Sequence, residues 1–123
     1  MTLYVVSCTK RKIWDDNPAT PKNVRAANAY RGTRFLKWLE SPKSPWIILS
    51  AKYGLIDPRH WITNYNVTFG SGGEISDREL NLQGRDWFFA QTPDDICAVN
   101  CDPIYVEKIK RAFPNMVIKE VQL

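Results

Sequence analysis

The chain has 123 residues, of which 44% are apolar and 24% are charged; these values exclude a disordered protein and predict one folded domain spanning residues 1–123. The net charge of +4 is concentrated in residues 10–37, where eight basic side chains accompany two carboxylates. This predicts an anionic partner such as a nucleotide or nucleic acid, with a solvated helix face as the alternative.

No apolar stretch approaches the roughly 20 residues of a membrane span. The basic cluster Lys10-Arg11-Lys12 follows the first apolar run instead of preceding it, which argues against a signal peptide. We therefore expect a cytoplasmic protein without a membrane partner.

The first half of the chain is predicted to contain two strands separated by a helix. The apolar run Leu3–Val6 predicts a buried strand, and residues 13–22 are predicted to form a loop because Asp15-Asp16-Asn17-Pro18 and Pro21 act as breakers. A helix is predicted over residues 23–39, capped by Asn23. Gly32 interrupts this helical pattern and marks either a break or a close approach by another group.

A second buried strand is predicted at Trp46–Leu49, followed by a long irregular segment over residues 57–73. Long loops in compact domains are often functional, so this segment is a candidate part of the site.

The second half is predicted to continue the alternation of helices and strands. A helix over residues 76–89 begins with a capping box of Ser76 and Glu79 and draws apolar contacts from Trp87 and Phe88. A third strand is predicted at residues 96–99, a helix at 103–113, and a fourth strand, at an edge of the sheet, at 116–121.

The resulting order β-α-β-α-β-α-β predicts an α/β fold, a three-layer sandwich with a mainly parallel four-stranded sheet covered on both faces. In such sheets, ligands bind beyond the carboxyl ends of the strands. Ser7-Cys8 and Ser50-Ala51-Lys52 each follow a predicted strand, so we expect them to be neighbours across one crevice.

The segment Ser7–Lys12 has the composition of an anion-binding loop, because backbone N–H groups, hydroxyls and lysines follow a strand there. It has neither the glycines of a Walker loop nor a dinucleotide fingerprint, and solvated lysines at a strand end are the alternative. Cys8 is a candidate nucleophile with His60 as its only candidate base; a buried, inert thiol is the favoured interpretation.

After the second strand, Lys52 is a candidate phosphate ligand and Tyr53 a candidate base contact, against the alternative of a surface lysine and a core tyrosine. Three loop carboxylates are candidates for activating a water molecule, with turn formation as the alternative: Asp15, Asp16 and Asp57.

The three cysteines, Cys8, Cys97 and Cys101, are too few for a disulfide framework and are predicted to be reduced and mostly buried. A closed zinc site would require all of them together with His60, so we expect neither a metal nor a cofactor.

These segments together resemble an uncharacterised domain family of bacteria, archaea and phages. The resemblance covers roughly residues 4–69, and the block Ile48–Ile56 is its most specific part. It is carried by Ser7-Cys8-Thr9-Lys10-Arg11-Lys12, by Ala26, Tyr30, Gly32 and Phe35, by Ile48-Leu49-Ser50-Ala51-Lys52-Tyr53-Gly54-Leu55-Ile56, and by Ile62, Tyr65, Asn66 and Thr68.

The family is similar to the YaaA peroxide-stress proteins and, more distantly, to the uracil-DNA glycosylase fold, which implies a link to nucleic acid or nucleotides. The sequence departs from these patterns in two ways. Asn66 stands where an Asp is usual, which weakens any role for a carboxylate there, and the water-activating signature of the glycosylases is absent, with no His after the fourth strand. Together with Cys8, the substrate-binding residues that the resemblance implies are Ser7, Lys10, Lys12, Tyr30, Gly32, Ser50, Lys52, Tyr53, Tyr65 and Thr68.

Two functions of different classes follow from these observations. The first is an enzyme that acts on a nucleobase or cleaves an N-glycosidic bond, with Trp14 or Trp61 filling the space of a flipped base. The second is a non-catalytic module that binds DNA or a nucleotide. A protein-binding inhibitor is a third, less favoured alternative.

Overall fold

A five-stranded sheet forms the centre of the protein, which is represented by a computed structural model that describes residues 2–86 and 96–121. In these residues the strands are β1 (Thr2–Ser7), β2 (Asn23–Arg25), β3 (Trp46–Ser50), β4 (Gly54–Ile56), β5 (Trp61–Thr63), β6 (Ile96–Asn100) and β7 (Val117–Glu120). The helices are α1 (Ile13–Asp16), α2 (Ala26–Ala29), α3 (Thr33–Glu40), α4 (Asp77–Gly84) and α5 (Pro103–Ala112).

The strand order in the central sheet is β4-β3-β1-β6-β7, and every neighbouring pair is parallel except β3 with β4. Strand β1 lies in the middle, where Val5 is in register with Ile47 on one side and Val99 on the other. Val5 and Val6 point to opposite faces and are both fully buried, so both faces of the sheet are covered. The predicted α/β class with a mainly parallel sheet is confirmed.

The sheet has five strands instead of the predicted four because Gly54–Ile56 folds back on β3. The hairpin pairs Ser50 with Gly54 and Leu49 with Leu55, antiparallel. Gly54 has φ +79°, a backbone conformation that favours glycine. The strand has only three residues and begins inside a turn, so its apolar pattern was too short to predict it.

The predicted continuous helix over residues 23–39 is wrong. Asn23 does not cap a helix; it begins β2, which pairs antiparallel with β5 in a second, two-stranded sheet. The helical part is divided into α2 and α3 by residues 30–32, where Tyr30 forms an isolated bridge with Lys12. Gly32 is therefore the N-cap of α3, one of the two roles expected for it. The strand β5 lies in the segment predicted as irregular, and the short helix α1 lies in the predicted loop.

In the second half, the order of elements agrees with the prediction where the structure describes it, but α4 ends at Gly84 and residues 85–86 form a turn, so the helix predicted to residue 89 is too long. The Ser76 hydroxyl accepts a hydrogen bond of 3.1 Å from the Glu79 backbone N–H and caps α4. Strand β6 and helix α5 form as expected, and β7 lies at an edge of the sheet. Trp87 and Phe88, at the end of the predicted helix, lie outside the described residues.

All three cysteines are free and buried, as expected. Among residues 2–86 and 96–121, no group of three or more His, Cys, Asp and Glu side chains is arranged to hold a metal ion. In the same residues, no helix has the length and apolar character that crossing a membrane requires.

Candidate functional site

The carboxyl ends of β1 and β3 lie side by side, because the two strands are parallel neighbours. Ser7 is in register with Leu49, and the Cys8 backbone N–H donates a 2.9 Å hydrogen bond to the Leu49 carbonyl. The two segments singled out by the sequence, residues 7–12 and 50–54, therefore start at the same edge of the sheet, the one formed by the carboxyl ends of β1 and β3.

An open cleft of about 440 Å³ lies at this edge. One wall comes from the loop after β1 and the start of α1, and the other from the segment after β5. We call it the Lys12 cleft; it is lined by Lys10, Lys12, Asp15, Asn64, Tyr65 and Asn66.

Lys12 is the unusual residue of this cleft, because it is only 4% exposed. Its ammonium group donates a 3.2 Å hydrogen bond to the Lys10 carbonyl and lies 4.4 Å from the centre of the Tyr65 ring. Burial lowers the pKa of Lys12, against the opposing effects of Cys8 and Asp15. A largely desolvated cation of this kind is stabilised when an anion enters beside it.

A network of buried hydroxyl groups holds the Tyr65 ring in place. The Tyr65 hydroxyl lies 2.8 Å from Ser50 Oγ and 2.7 Å from the Tyr30 hydroxyl. Burial raises the pKa of both tyrosines, so both stay neutral and able to donate hydrogen bonds. Ser50 and Tyr30 thus act on the cleft through Tyr65.

Ser50 also orients the segment that follows β3. Its hydroxyl accepts hydrogen bonds from the backbone N–H groups of Lys52 and Tyr53, at 3.2 and 3.1 Å. The Lys52 ammonium lies 5.8 Å from the centre of the Tyr65 ring, and the rings of Tyr53 and Tyr65 meet edge to face at 5.5 Å. Lys52 and Tyr53 therefore lie next to the cleft without lining it.

Gly32 contributes by close approach to the basic loop. Its N–H donates a 3.1 Å hydrogen bond to Thr9 Oγ1, and a Cβ atom at this position would lie 2.4 Å from Thr9 Cγ2. Any side chain here would push Thr9 away, so Gly32 fixes the path of the loop that carries Lys10 and Lys12.

Of the three candidate carboxylates, Asp15 alone lines the Lys12 cleft. One of its oxygens accepts a 2.8 Å hydrogen bond from the Lys12 N–H. Asp16 forms a 2.7 Å ion pair with Arg11. Asp57 pairs with Arg59 at 3.1 Å, which lowers the pKa of its carboxyl, and it lines a different cleft together with Tyr53 and His60.

Three other predicted residues lie away from the cleft walls. Ser7 is buried at the end of β1 beside the Cys101 thiol. The Cys8 thiol is buried, as expected, and contacts the Tyr105 hydroxyl at 3.3 Å instead of His60. Thr68 belongs to a turn in which its N–H and carbonyl bind Ser71.

The two aromatic residues proposed to replace a flipped base differ in exposure. Trp14 is 8% exposed and its indole N–H donates a 3.0 Å hydrogen bond to the Pro21 carbonyl, so it belongs to the core and cannot act as a wedge. Trp61 is 54% exposed and remains available.

Sequence reasoning missed Asn64 as a cleft residue and Asn100 at the end of β6. Asn100 is buried and its amide oxygen accepts a 3.2 Å hydrogen bond from Arg34, which also pairs with Asp102. A polar residue directly after an apolar strand, the pattern that identified Ser7 and Ser50, also occurs at Asn100 and was the available indication.

The comparisons with known proteins find a family of unknown function and an uncharacterised relative. A model of a family of unknown function, DUF6884, matches residues 3–83, a range that includes every residue lining the Lys12 cleft. The chain is 40% identical over 75 residues to the uncharacterized protein YfjM of Bacillus subtilis (strain 168). That match covers 57% of this chain and 49% of YfjM, so the chain spans about half the length of this relative. No solved structure matches.

Proposed function

We propose, for a chain that belongs to the DUF6884 family of unknown function, that the Lys12 cleft binds a nucleotide, free or in a nucleic acid, and cleaves its N-glycosidic bond. The observation that carries this proposal is the position of Lys12, a buried cation that opens onto a cleft shared with Lys10 and Tyr65. Such a pair of lysines is suited to binding a phosphate, because each lysine interacts with it as a point charge.

The opposite wall suits a nucleobase. The amides of Asn64 and Asn66 each offer both donors and acceptors, which is what the edge of a base requires. The Tyr65 ring between them supplies an aromatic surface that the Ser50 and Tyr30 hydroxyls keep in one orientation. Phosphate and base would thus contact two walls of one cleft.

Asp15 is the group that we assign to the chemical step. Its carboxylate takes a proton from a water molecule as the water oxygen bonds to the C1′ carbon of the sugar. The C–N bond to the base breaks and its electron pair leaves with the base nitrogen, which then receives the proton that Asp15 took from the water, so that the carboxylate is restored. The adjacent lysines hold the phosphate in place during this step.

The resemblance to the YaaA proteins and to the uracil-DNA glycosylase fold supports the same proposal at the level of the fold. The same resemblance implies a three-layer sandwich, and the burial of residues on both faces of β1 supports this architecture.

Binding and base release, measured separately, test this function. Purified protein is incubated with DNA, RNA and nucleotides containing normal and modified bases, and the released base is measured by chromatography. We expect Asp15→Asn to keep binding and to lower base release about 100-fold or more. Lys12→Gln is expected to lose binding, and Glu40→Gln, an exposed carboxylate at the end of α3, serves as the matched control.

A non-catalytic binding module is the second candidate. It is favoured by Asn66 at a position where an Asp is usual and by the ion pairs that engage Asp16 and Asp57. Binding that weakens steeply with salt, without release of any base, would assign this function instead. No binding to any nucleotide or nucleic acid would contradict both candidates.

A further inference from the structure

An exposed surface continues from the Lys12 cleft along the small β2–β5 sheet. Beside the cleft lies a second pocket of about 400 Å³, which shares Asn64 with it. We call this the Lys22 pocket; it is lined by Trp14, Pro18, Thr20, Lys22, Thr63 and Asn64. The short helix α1 contributes to both, with Asp15 in the cleft and Trp14 in the pocket.

The β2–β5 pairing extends this surface beyond the pocket. Asn23 is in register with Thr63, and Arg25 with Trp61, while Val24 and Ile62 between them point to the opposite face. Ile62 is buried, whereas Arg25 and Trp61 are exposed. Thr63 and Trp61 therefore lie on one outward face, and Thr63 is also a wall of the Lys22 pocket.

The chemistry of this face matches a polyanion with unpaired bases. Residues 20–27 and 58–66 carry the cations Lys22 and Arg25 and contain no carboxylate, while the charge of Arg59 is paired with Asp57 next to this range. The Arg25 guanidinium lies 4.3 Å from the centre of the Trp61 ring, and the ring is 54% exposed. Cations that follow the backbone, together with an aromatic ring on which a base stacks, are the two components of single-strand binding sites.

From these observations we infer that the protein binds single-stranded nucleic acid along a continuous track, with one nucleotide in the Lys12 cleft and a neighbouring base stacked on Trp61. The inference rests on the proposed function of the cleft and identifies its ligand as a polymer instead of a free nucleotide. Phosphates between these two nucleotides lie near Lys22 and Arg25.

The dependence of affinity on ligand length tests the track. Calorimetric titrations compare thymidine monophosphate with a single strand of about ten thymidylates. We expect the single strand to bind at least tenfold more tightly than the mononucleotide. Trp61→Ala should weaken single-strand binding about tenfold and leave mononucleotide binding unchanged, and Trp61→Phe should retain most of the affinity.

Two further variants control for surface effects and for charge. Val117→Ala removes an exposed apolar side chain on the edge strand β7 and should change neither affinity. Lys22→Ala should lower the slope of log affinity against log salt concentration by about one for the single strand alone.

The possible results separate the track from the function of the cleft. A mononucleotide that binds as tightly as the single strand, or a single strand unaffected by Trp61→Ala, would overturn the track and leave the cleft in place. Tighter binding of a duplex than of a single strand of equal length would also overturn it. If wild-type protein bound neither of these thymidine ligands nor any nucleotide or nucleic acid of the base-release assay, both proposals would fail.

Discussion

At the scale of the residue, the burial of Lys12 is the feature that separates a site from an ordinary basic loop. Composition identified Lys10, Lys12 and Lys52 alike, whereas the structure buries Lys12 and leaves Lys10 and Lys52 exposed. Its ammonium group contacts the Tyr65 ring and the Lys10 carbonyl, neither of which carries a full charge, and the Asp15 carboxylate only partly offsets the effect of burial on its pKa. A protein that keeps such a group gives up stability at its functional site.

Lys12→Met is expected to make the protein more stable and inactive in binding. The burial that lowers the pKa of Lys12 is a cost to its charged form in the folded state. Replacing the ammonium with a thioether of similar length removes this cost, so the free energy of unfolding in urea should rise by roughly 1 kcal/mol.

Exposed Lys10 supplies the matched control for this variant. Lys10→Met should change the unfolding free energy by less than about 0.5 kcal/mol.

The stabilising effect of Lys12→Met should depend on pH. Between the lowered pKa of Lys12 and the usual lysine pKa of about 10.4, the unfolded chain holds a proton that the folded chain releases. The difference between wild type and Lys12→Met should therefore shrink as the pH rises through this window. Lower stability of Lys12→Met at pH 7 would contradict the interpretation of Lys12 as a costly buried cation.

At the scale of the element, a feature formed by residues close in the chain was predictable from the sequence, whereas a pairing between distant residues was not. The cap of α4 was predictable because Ser76 and Glu79 are three residues apart and interact within one turn. The pairing of β2 with β5 was not predictable, because Asn23 finds its partner Thr63 forty residues later. The local sequence of Asn23–Arg25 is typical of the start of the following helix. These residues form a strand instead because they pair with β5 in the folded protein.

An ion pair connects the start of α4 to α5. Asp77 lies 2.6 Å from the ammonium group of Lys108 and 3.3 Å from Arg111, and the Lys108 side chain is 7% exposed. A hydrogen bond from Lys108 is the main cause of the low pKa of Asp77. The Asp77 carboxylate also lies in the first turn of α4, where the helix dipole favours a negative charge.

Asp77→Ala is expected to lower the free energy of unfolding by about 2 kcal/mol, because it leaves Lys108 buried without its counter-charge. This value is below the range for a fully buried pair since Asp77 is 43% exposed. The double variant Asp77→Ala/Lys108→Met should recover most of the loss in a urea titration. Because Lys108 lowers the folded pKa of Asp77, the contribution exists above about pH 4 and disappears as the pH falls further. Equal acid sensitivity of wild type and Asp77→Ala would show that the pair contributes nothing.

At the scale of the whole molecule, the strand order brings the site together. Strand β1 is the central strand of the sheet; β3 and β4 lie on one side of it, and β6 and β7 lie on the other side. The loop after β1 is thereby placed beside the end of β3, and the segment after β5 covers both. The same packing buries thiols and phenols from several elements in one core.

This shared core predicts a loss of stability at alkaline pH. Burial raises the pKa of the Cys97 thiol to about 12 and also raises the pKa of Cys101, Tyr30, Tyr65 and Tyr105. In the unfolded chain the thiols release their protons near pH 8.5 and the phenols near pH 10, so the folded state loses stability as the pH rises through these values. Cys97 and Cys101 should each account for a loss of about 1–2 kcal/mol in the free energy of unfolding at pH 10.

Urea titrations at pH 7 and pH 10 measure this loss. Cys97→Ala should be less stable than wild type at pH 7 because it leaves a cavity, yet it should lose less stability between the two pH values. An identical pH dependence of both proteins would contradict a raised Cys97 pKa.

The amino-acid sequence by itself determined the α/β class, the strands β1, β3, β6 and β7, the cap of α4, and the basic segment after β1 that forms one wall of the cleft. These features depend on apolar runs and on contacts between residues close in the chain, which a linear pattern contains. The tertiary structure alone decided that Lys12 is buried, that Asp15 shares its cleft while Asp57 does not, that Asn64 lines two neighbouring pockets, and that Trp61 lies on the same face of β5 as Thr63. Burial and pairing arise from contacts between distant residues, so they exist only after the chain has folded.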